Sequence, residues 1–266
     1  MLIPHRTLPG TSMDLSMLGL GTVKFGRNQG IKYPQPFDLP DDNSLLDLLS
    51  TAQDLGINLI DTAPAYGSSE ERLGKLLEGE RHRWIISTKT GEEFADGKSH
   101  FDFSAKHTIH SVERSLQRLK TDYLDLVLVH SNGYDLEVLR NTDVMQTLAS
   151  LKQTGKIRAF GFSGKTAEGG IEALRQADVA MVTYNLAETA EAAVIDYASR
   201  HDKGIFIKKA LSSGHLIGQT ADPVTASFRQ IISLGGVTSI IIGTISSTHL
   251  KSNAASMLTA LRELSA

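Results

Sequence analysis

Eight short apolar runs, each followed by an amphipathic stretch, recur along this 266-residue chain. That alternation constrains the fold more than any other feature. The runs are residues 16–22 (SMLGLGT), 57–61 (INLID), 84–89 (WIISTK), 123–130 (YLDLVLVH), 158–163 (RAFGFS), 179–184 (VAMVTY), 204–208 (GIFIK) and 237–243 (VTSIIIG). Short, nearly continuous, Val/Ile-rich runs suit strands buried on both faces. Helical patterns lie between them at 45–55, 68–77, 105–119, 144–154, 167–176, 188–201, 223–234 and 248–264. Asn43 or Ser44, Ser104 and Asp143 serve as starts, and Gly56, Gly79 and Gly155 as stops. Eight such units predict an α/β chain folded as a single-domain (β/α)8 TIM barrel over 1–266. A doubly wound sheet would alternate too, but the regular units and unbroken composition favour closure. Residues 2–15, with a Pro9-Gly10 turn, predict an N-terminal β-hairpin across the barrel's bottom. Two connections, 25–42 and 90–103, are long enough to read as lids, binding loops or tolerated insertions.

Composition removes whole classes of function. The chain has no cysteine, which excludes disulfides, thiolate metal sites and a cysteine nucleophile. A formal charge of −3 carries no nucleic-acid footprint. The N-terminal MLIPHRTLPG lacks the apolar core of a signal peptide, and no apolar run approaches a membrane span. The expectation is a cytoplasmic protein, monomeric or weakly homo-oligomeric, acting on a small molecule.

Several motifs fail on inspection. Gly19-Leu20-Gly21 would need a third glycine at position 24, where Lys24 stands, so it is not a dinucleotide fingerprint. Residues 91–99 (GEEFADGKS) place five residues between the glycines where a phosphate loop needs four. His107 and His110 share a helix but lack a third ligand. A solvated helix face is the expectation for them, and no metal site is assigned.

What survives lies at the C-terminal strand ends, where barrel chemistry sits. Asp61 ends the second strand, Lys89 the third and His130 the fourth, while Tyr66 follows Asp61 by five residues. Each has an ordinary structural explanation: a turn cap, a snorkelling lysine, a packed turn aromatic, a satisfied histidine. Together they require four coincidences on one face. Chemically they form a set. A tyrosine near pKa 10 is a poor acid at neutral pH. An ammonium at ~4 Å contributes ~4 kcal/mol at an effective dielectric of ~20, on the order of three pKa units. Asp61 would hold Lys89, and His130 would steer a substrate oxygen toward Tyr66.

With the segments GLGTVKFG (19–26), INLIDTAPAYGSSEERLGKLL (57–77), WIISTK (84–89), SVERSLQRLKTDYLDLVLVHS (111–131), GKIRAFGFS (155–163) and SIIIGTISSTHLKSN (239–253), the chain resembles the aldo-keto reductases along essentially its whole length. The resemblance implies a barrel using NADP(H) without a Rossmann domain, and a tetrad falling on Asp61, Tyr66, Lys89 and His130. It assigns cofactor contacts to Thr22 and Ser163, to Lys208, Lys209 and Leu211 after the seventh strand, and to Gly243, Thr244, His249 and Asn253 after the eighth. This chain departs from the family pattern where Ser163-Gly164 replaces Ser-Asn, Met181 replaces a glutamine and Lys208 stands for a stacking aromatic. The basic residues that contact a 2′-phosphate align with Gly243 and His249, so NADP(H) is favoured over NAD(H) by resemblance alone.

The expected reaction is reduction of an aldehyde or ketone. The pocket rim is expected to include Val23, Lys24, Phe25, Tyr33, Asn132 and Tyr134. An open, broadly selective pocket follows unless the 25–42 loop acts as a lid. Two rival readings are a cofactor-sensing or regulatory barrel, reported by quenching of Trp84, and a Schiff-base aldolase built on Lys89 or Lys208.

Overall fold

Inward and outward residues alternate along every barrel strand, and this parity organises the molecule. The computed structural model describes residues 2–31, 36–214 and 222–265. In chain order its elements begin with β1 (His5–Thr7), β2 (Asp14–Ser16), β3 (Leu18–Gly21), α1 (Val23–Gly26), α2 (Asp42–Asp54), β4 (Leu59–Asp61), α3 (Ser69–Leu76) and β5 (Ile85–Thr90). They continue through β6 (Glu92–Ala95), β7 (Lys98–Phe101), α4 (Ala105–Arg118), β8 (Leu124–His130), α5 (Asp135–Asn141), α6 (Val144–Gln153), β9 (Ile157–Ser163) and α7 (Ala167–Leu174). The last are β10 (Val179–Thr183), α8 (Ala192–Arg200), β11 (Gly204–Lys208), α9 (Pro223–Ser233), β12 (Ser239–Gly243) and α10 (Ser247–Ser265). Eight of the strands close into a barrel in the order β10-β11-β12-β3-β4-β5-β8-β9, all paired in parallel.

Outward-facing side chains such as Ile60, Ile86, Val127, Val129, Phe160 and Ile240 pack under the helices in the larger apolar core. Inward-facing Leu59, Leu126, Leu128, Ala159, Val179, Met181, Phe206 and Ile241 fill the lumen. The antiparallel hairpin β1–β2 stops the lower end, contributing Leu8, Met13 and Leu15 to the same cluster. Asp125, 1% exposed, staples that end. Its Oδ2 accepts from Arg81 at 2.7 Å and from the Ile86 amide at 2.9 Å, and its Oδ1 from Arg158 at 3.0 Å. The second aspartate of the DYLDL segment therefore holds β5, β8 and β9 together.

Several boundaries differ from the sequence expectation for local reasons. Helix α2 begins at Asp42, capped by Asp41, whose Oδ1 accepts from the Ser44 amide at 2.7 Å. Neither Asn43 nor Ser44 is the cap. Ser104 caps α4 as expected, whereas Asp143 makes no side-chain cap at α6. Helix α8 starts at Ala192 because Asn185 Oδ1 takes the Ala187 and Glu188 amides in a turn. The 90–103 connection is a β-hairpin: Asp96 (φ 52°) and Gly97 (φ 75°) form its turn between paired β6 and β7. Both ends of the 25–42 loop are tied to Arg72, which donates to the carbonyls of Phe25 and Pro40. Phe25, expected at the rim, is fully buried in the outer core. Tyr33 and the middle of that loop lie outside the described residues. Among the described residues no helix is long and apolar enough to cross a membrane.

The hairpin plug is measurable. Leu8→Ala removes a fully buried side chain from the lumen floor, and the expected cost is about 2–5 kcal/mol of unfolding free energy, read by urea denaturation.

Candidate active site

The parity that fills the lumen with apolar side chains places polar ones at its upper end. Asp61 follows Leu59 on the inner face of β4, Ser87 and Lys89 follow Ile85 on β5, and His130 follows Leu126 and Leu128 on β8. Ser163 ends β9 and Lys208 ends β11 in the same sense. Register aligns these ends, pairing Asp61 with Ser87, His130 with Ser163 and Thr183 with Lys208.

At the centre is a buried ion pair. Lys89 Nζ donates to both Asp61 carboxylate oxygens at 2.7 Å and to the Thr62 carbonyl at 2.9 Å. Tyr66 is a further hydrogen-bonding neighbour of Lys89, and Ser87 adds a hydrogen bond to Asp61 Oδ1 at 3.2 Å. The two charged side chains are only 1% and 5% exposed. Burial pulls the ammonium down, but Asp61 and then Tyr66 outweigh it and hold Lys89 above the ordinary lysine value.

Tyr66 lies over this pair, with Lys89 Nζ 4.9 Å from its ring centroid. His130 stands edge-on to it at 6.3 Å between centroids. The tyrosine turn is tightly made. Gly67 has φ +61°, and a Cβ there would lie 2.1 Å from the Gly26 carbonyl oxygen. Below it, Ser69 Oγ donates to Thr22 Oγ1 at 2.8 Å, and Thr22 Oγ1 donates to the Asp61 carbonyl at 3.0 Å. Thr22 is fully buried, and its hydroxyl works inside the fold. The direction of the tyrosine shift reverses the sequence expectation. Burial raises the phenol above its ordinary value, and the opposing effect of Lys89 does not overcome it. Tyr66 is therefore a fully protonated phenol at neutral pH.

The second half of the mouth is built around Lys208. Its Nζ donates to Ser163 Oγ at 3.0 Å and to the Gly164 carbonyl at 2.6 Å, reaching across β10. Burial lowers this amine to about 8, against the opposing attraction of Glu191. Glu191 was not visible as a site residue in the sequence. It is 5% exposed; its Oε2 accepts from the Thr183 amide at 2.8 Å, and its Oε1 is buried without a hydrogen bond among the described residues.

The departures from the family pattern have local causes. A Cβ on Gly164 would lie 2.9 Å from Asp135 Oδ2. That carboxylate is held in place by the Lys165 and Thr166 amides and the Thr166 hydroxyl. Met181 belongs to the apolar lumen. Lys209 is exposed with φ +54°, and Leu211 packs partly against the outer core. After β12, Gly243 is exposed, Thr244 Oγ1 accepts from the Ser246 amide, and Ser246 Oγ accepts from the His249 amide at the start of α10. His249 is exposed and Asn253 half-buried on that helix.

The β6–β7 hairpin supplies a residue the sequence reading missed. Glu92 Oε2 lies 2.7 Å from His130 Nδ1, and Ser99 donates to Glu92 Oε1. The next residue, Glu93, turns the other way and pairs with Arg114 and with His107 at 3.6 Å. His107 thus sits under the hairpin with its side chain 14% exposed, while His110 is on the exposed face as expected. Arg27 stacks on Phe94 at 3.4 Å and donates to the Ala65 carbonyl beside Tyr66. The Asp-Gly turn between alternating residues was the available signal for this hairpin. Among the described residues no cluster could hold a metal ion.

Comparison with known proteins places these features in context. Residues 17–230 match the model of the aldo/keto reductase family. The Pseudomonas aeruginosa protein PA4992, assigned to the aldo-keto reductases, is 56% identical, with a TM-score of 0.89 over 97% of this chain and 96% of that one. The aldo-keto reductase YhdN of Bacillus subtilis is 31% identical over 83% of this chain and 66% of its own length. The NADH-specific methylglyoxal reductase of Escherichia coli is 30% identical over 68% of this chain and 58% of its own length.

Lys208 makes the stability of this site depend on pH. Its native value of about 8 lies below the ~10.4 of an unfolded lysine, so between those values the unfolded chain binds more protons and stability rises with pH. Lys208→Met removes that contribution. Urea titrations at pH 7.5 and pH 10 are expected to show wild type gaining more stability, relative to the variant, at the higher pH.

Proposed function

Because this chain belongs to the aldo/keto reductase family, we propose that it reduces aldehydes or ketones to alcohols with a nicotinamide cofactor, Tyr66 acting as proton donor. One observation carries the reading: a neutral phenol set against the Lys89 ammonium, which Asp61 and Thr62 hold charged and immobile. A reduced nicotinamide, when bound, would supply hydride to the carbonyl carbon. Tyr66 then delivers its proton to the carbonyl oxygen as negative charge develops there. The phenolate left behind is stabilised by Lys89 a few ångströms away, and Tyr66 is reprotonated from solvent. His130 orients the carbonyl oxygen toward the phenol.

The residues present suit a nicotinamide dinucleotide. Ser163 and Lys208 offer donors beside the buried, unpaired Glu191 Oε1, an acceptor fitted to an amide NH2. The start of α10, with Thr244, Ser246 and His249, offers backbone N–H groups and hydroxyls for a phosphate. Asn253 lies further along α10, Lys209 and Leu211 follow β11, the strand beside β12, and Gly243 ends β12 without a side chain. Thr22 contributes through the turn it supports. NADP(H) remains favoured over NAD(H) by family resemblance, although the similar Escherichia coli reductase is NADH-specific. The most useful measurement is a titration of each cofactor, read by the nicotinamide's own fluorescence. Trp84 is a poor reporter because it lies buried just before β5, at the closed end of the barrel.

A cofactor-sensing barrel is the second reading, favoured by the apolar Met181 and the missing side chain at Gly164. A Schiff base on Lys89 is disfavoured, because Asp61 and the Thr62 carbonyl hold it as a charged ammonium.

Tyr66→Phe separates the readings. The expected outcome is loss of carbonyl reduction by about 10²–10⁴-fold with cofactor affinity unchanged. Undiminished turnover in that variant refutes the assignment. Gly67→Ala is expected to displace Tyr66, because it forces a Cβ against the Gly26 carbonyl. Turnover should fall in that variant while the circular dichroism spectrum is retained.

A further inference from the structure

We propose that Lys208 is a nucleophilic amine that captures small aldehydes as an imine at the barrel mouth, giving the chain a covalent carbonyl site distinct from Tyr66 and Lys89.

The two lysines of the mouth are bonded in opposite ways. Lys89 is gripped by both oxygens of a carboxylate, so losing its charge would cost an ion pair. Lys208 ends β11 on the inner face, two residues beyond the lumen side chain Phe206. Its Nζ donates to Ser163 Oγ at 3.0 Å and to the Gly164 carbonyl at 2.6 Å, and among the described residues no carboxylate bonds to it. An ammonium has three donors and a neutral amine two. Lys208 therefore keeps both hydrogen bonds when it loses a proton, and its lone pair becomes available. The residue is half-buried, which leaves it reachable from the mouth.

The surroundings favour that loss. The charged and titratable groups acting on Lys208 are Glu191 before α8, its neighbour Lys209, Lys89 from β5, Asp135 at the start of α5 and His130 at the end of β8. Burial and the two other lysines outweigh Glu191 and Asp135 and bring the amine to about 8. Desolvation and a nearby cation are the conditions that activate a lysine toward carbonyl compounds. At pH 7 roughly a tenth of such amines are neutral, against fewer than about one in a thousand for an ordinary lysine.

The chemistry closes without a redox partner. The Lys208 lone pair forms a bond to the aldehyde carbon, and the C=O π pair moves to oxygen. One proton passes from nitrogen to that oxygen, giving a carbinolamine. A second proton, from solvent, lets the C–O bond break with loss of water while the nitrogen lone pair forms C=N. The product is a cationic imine that retains the aldehyde at the strand end.

The test incubates the full chain, without nicotinamide, with acetaldehyde and sodium cyanoborohydride, which reduces the imine to a stable N-ethyl lysine. Peptide mass mapping then reads each lysine between pH 6 and pH 10.5. At pH 7 Lys208 is expected to be modified at least about tenfold faster than its exposed neighbour Lys209. That advantage is expected to shrink as pH rises past about 8, where Lys208 has little more charge to lose. In the intact mass, Lys208→Arg is expected to lose the first equivalent of adduct. Wild type decides the matter even if the variant folds poorly, because Lys209 is an internal control. Modification of Lys208 no faster than Lys209 overturns the proposal, as does a first equivalent that survives in folded Lys208→Arg. Hydride turnover plays no part in the readout, so this result and the reductase reading stand or fall separately.

Discussion

The buried pair of Lys89 and Asp61 is the interaction on which the rest of the upper barrel depends. Two charges removed from water carry a desolvation cost of several kcal/mol each. They persist because their own polar atoms are answered: both carboxylate oxygens and the Thr62 carbonyl by Lys89, and Oδ1 again by Ser87. Such a pair contributes little net stability, yet loss of one partner would strand the other at a cost of about 3–5 kcal/mol. What it secures is a positive charge held by three short contacts and kept above the ordinary lysine value beside Tyr66. The close approach of Gly67 to the Gly26 carbonyl and the hydroxyl chain from Ser69 through Thr22 to Asp61 serve the same placement from below.

The barrel separates stability from chemistry along its axis. Toward the lower end, the hairpin residues Leu8, Met13 and Leu15 and the Asp125 network close the lumen with apolar packing and a satisfied carboxylate. Toward the upper end, the same inward parity delivers Asp61, Lys89, His130, Ser163 and Lys208. Two polar systems share that mouth. One is centred on Lys89 and Tyr66, the other on Lys208, Ser163 and Glu191, with His130 between them in register with Ser163. The contrast between the two lysines shows what partners do to a buried amine. Lys89, chelated by a carboxylate, is held above its ordinary value, while Lys208, bonded to a neutral hydroxyl and a carbonyl, falls to about 8.

The strands were legible because burial on both faces writes itself into contiguous Val/Ile-rich runs, and Asp61, Lys89 and His130 because they interrupt such runs at their ends. Other features were not legible, for identifiable reasons. Asp41 displaced Asn43 and Ser44 as a cap because four polar residues in a row, Asp41 to Ser44, compete on geometry alone. Phe25 read as a rim aromatic, but the turn of α1 rotates it into the helix–strand core. His107 read as solvated because its partner, Glu93, belongs to a hairpin formed 14 residues earlier. Gly164 looked like a missing cofactor contact; the space its side chain would need is taken by Asp135, 29 residues before it.

The sequence by itself determined the closed eight-unit barrel, its plugging hairpin, and which four residues converge at the mouth, because period-two alternation and strand-end position are local properties that closure turns into proximity. Only the tertiary structure decided how those residues behave. Whether Tyr66 is pushed up or down depends on its enclosure as well as on Lys89. The charge that stands beside His130 is that of Glu92, carried in by a hairpin whose partners lie on other elements. Charge state is set by desolvation and by the nearest charges and dipoles in three dimensions, and it is not encoded in the spacing of residues along the chain.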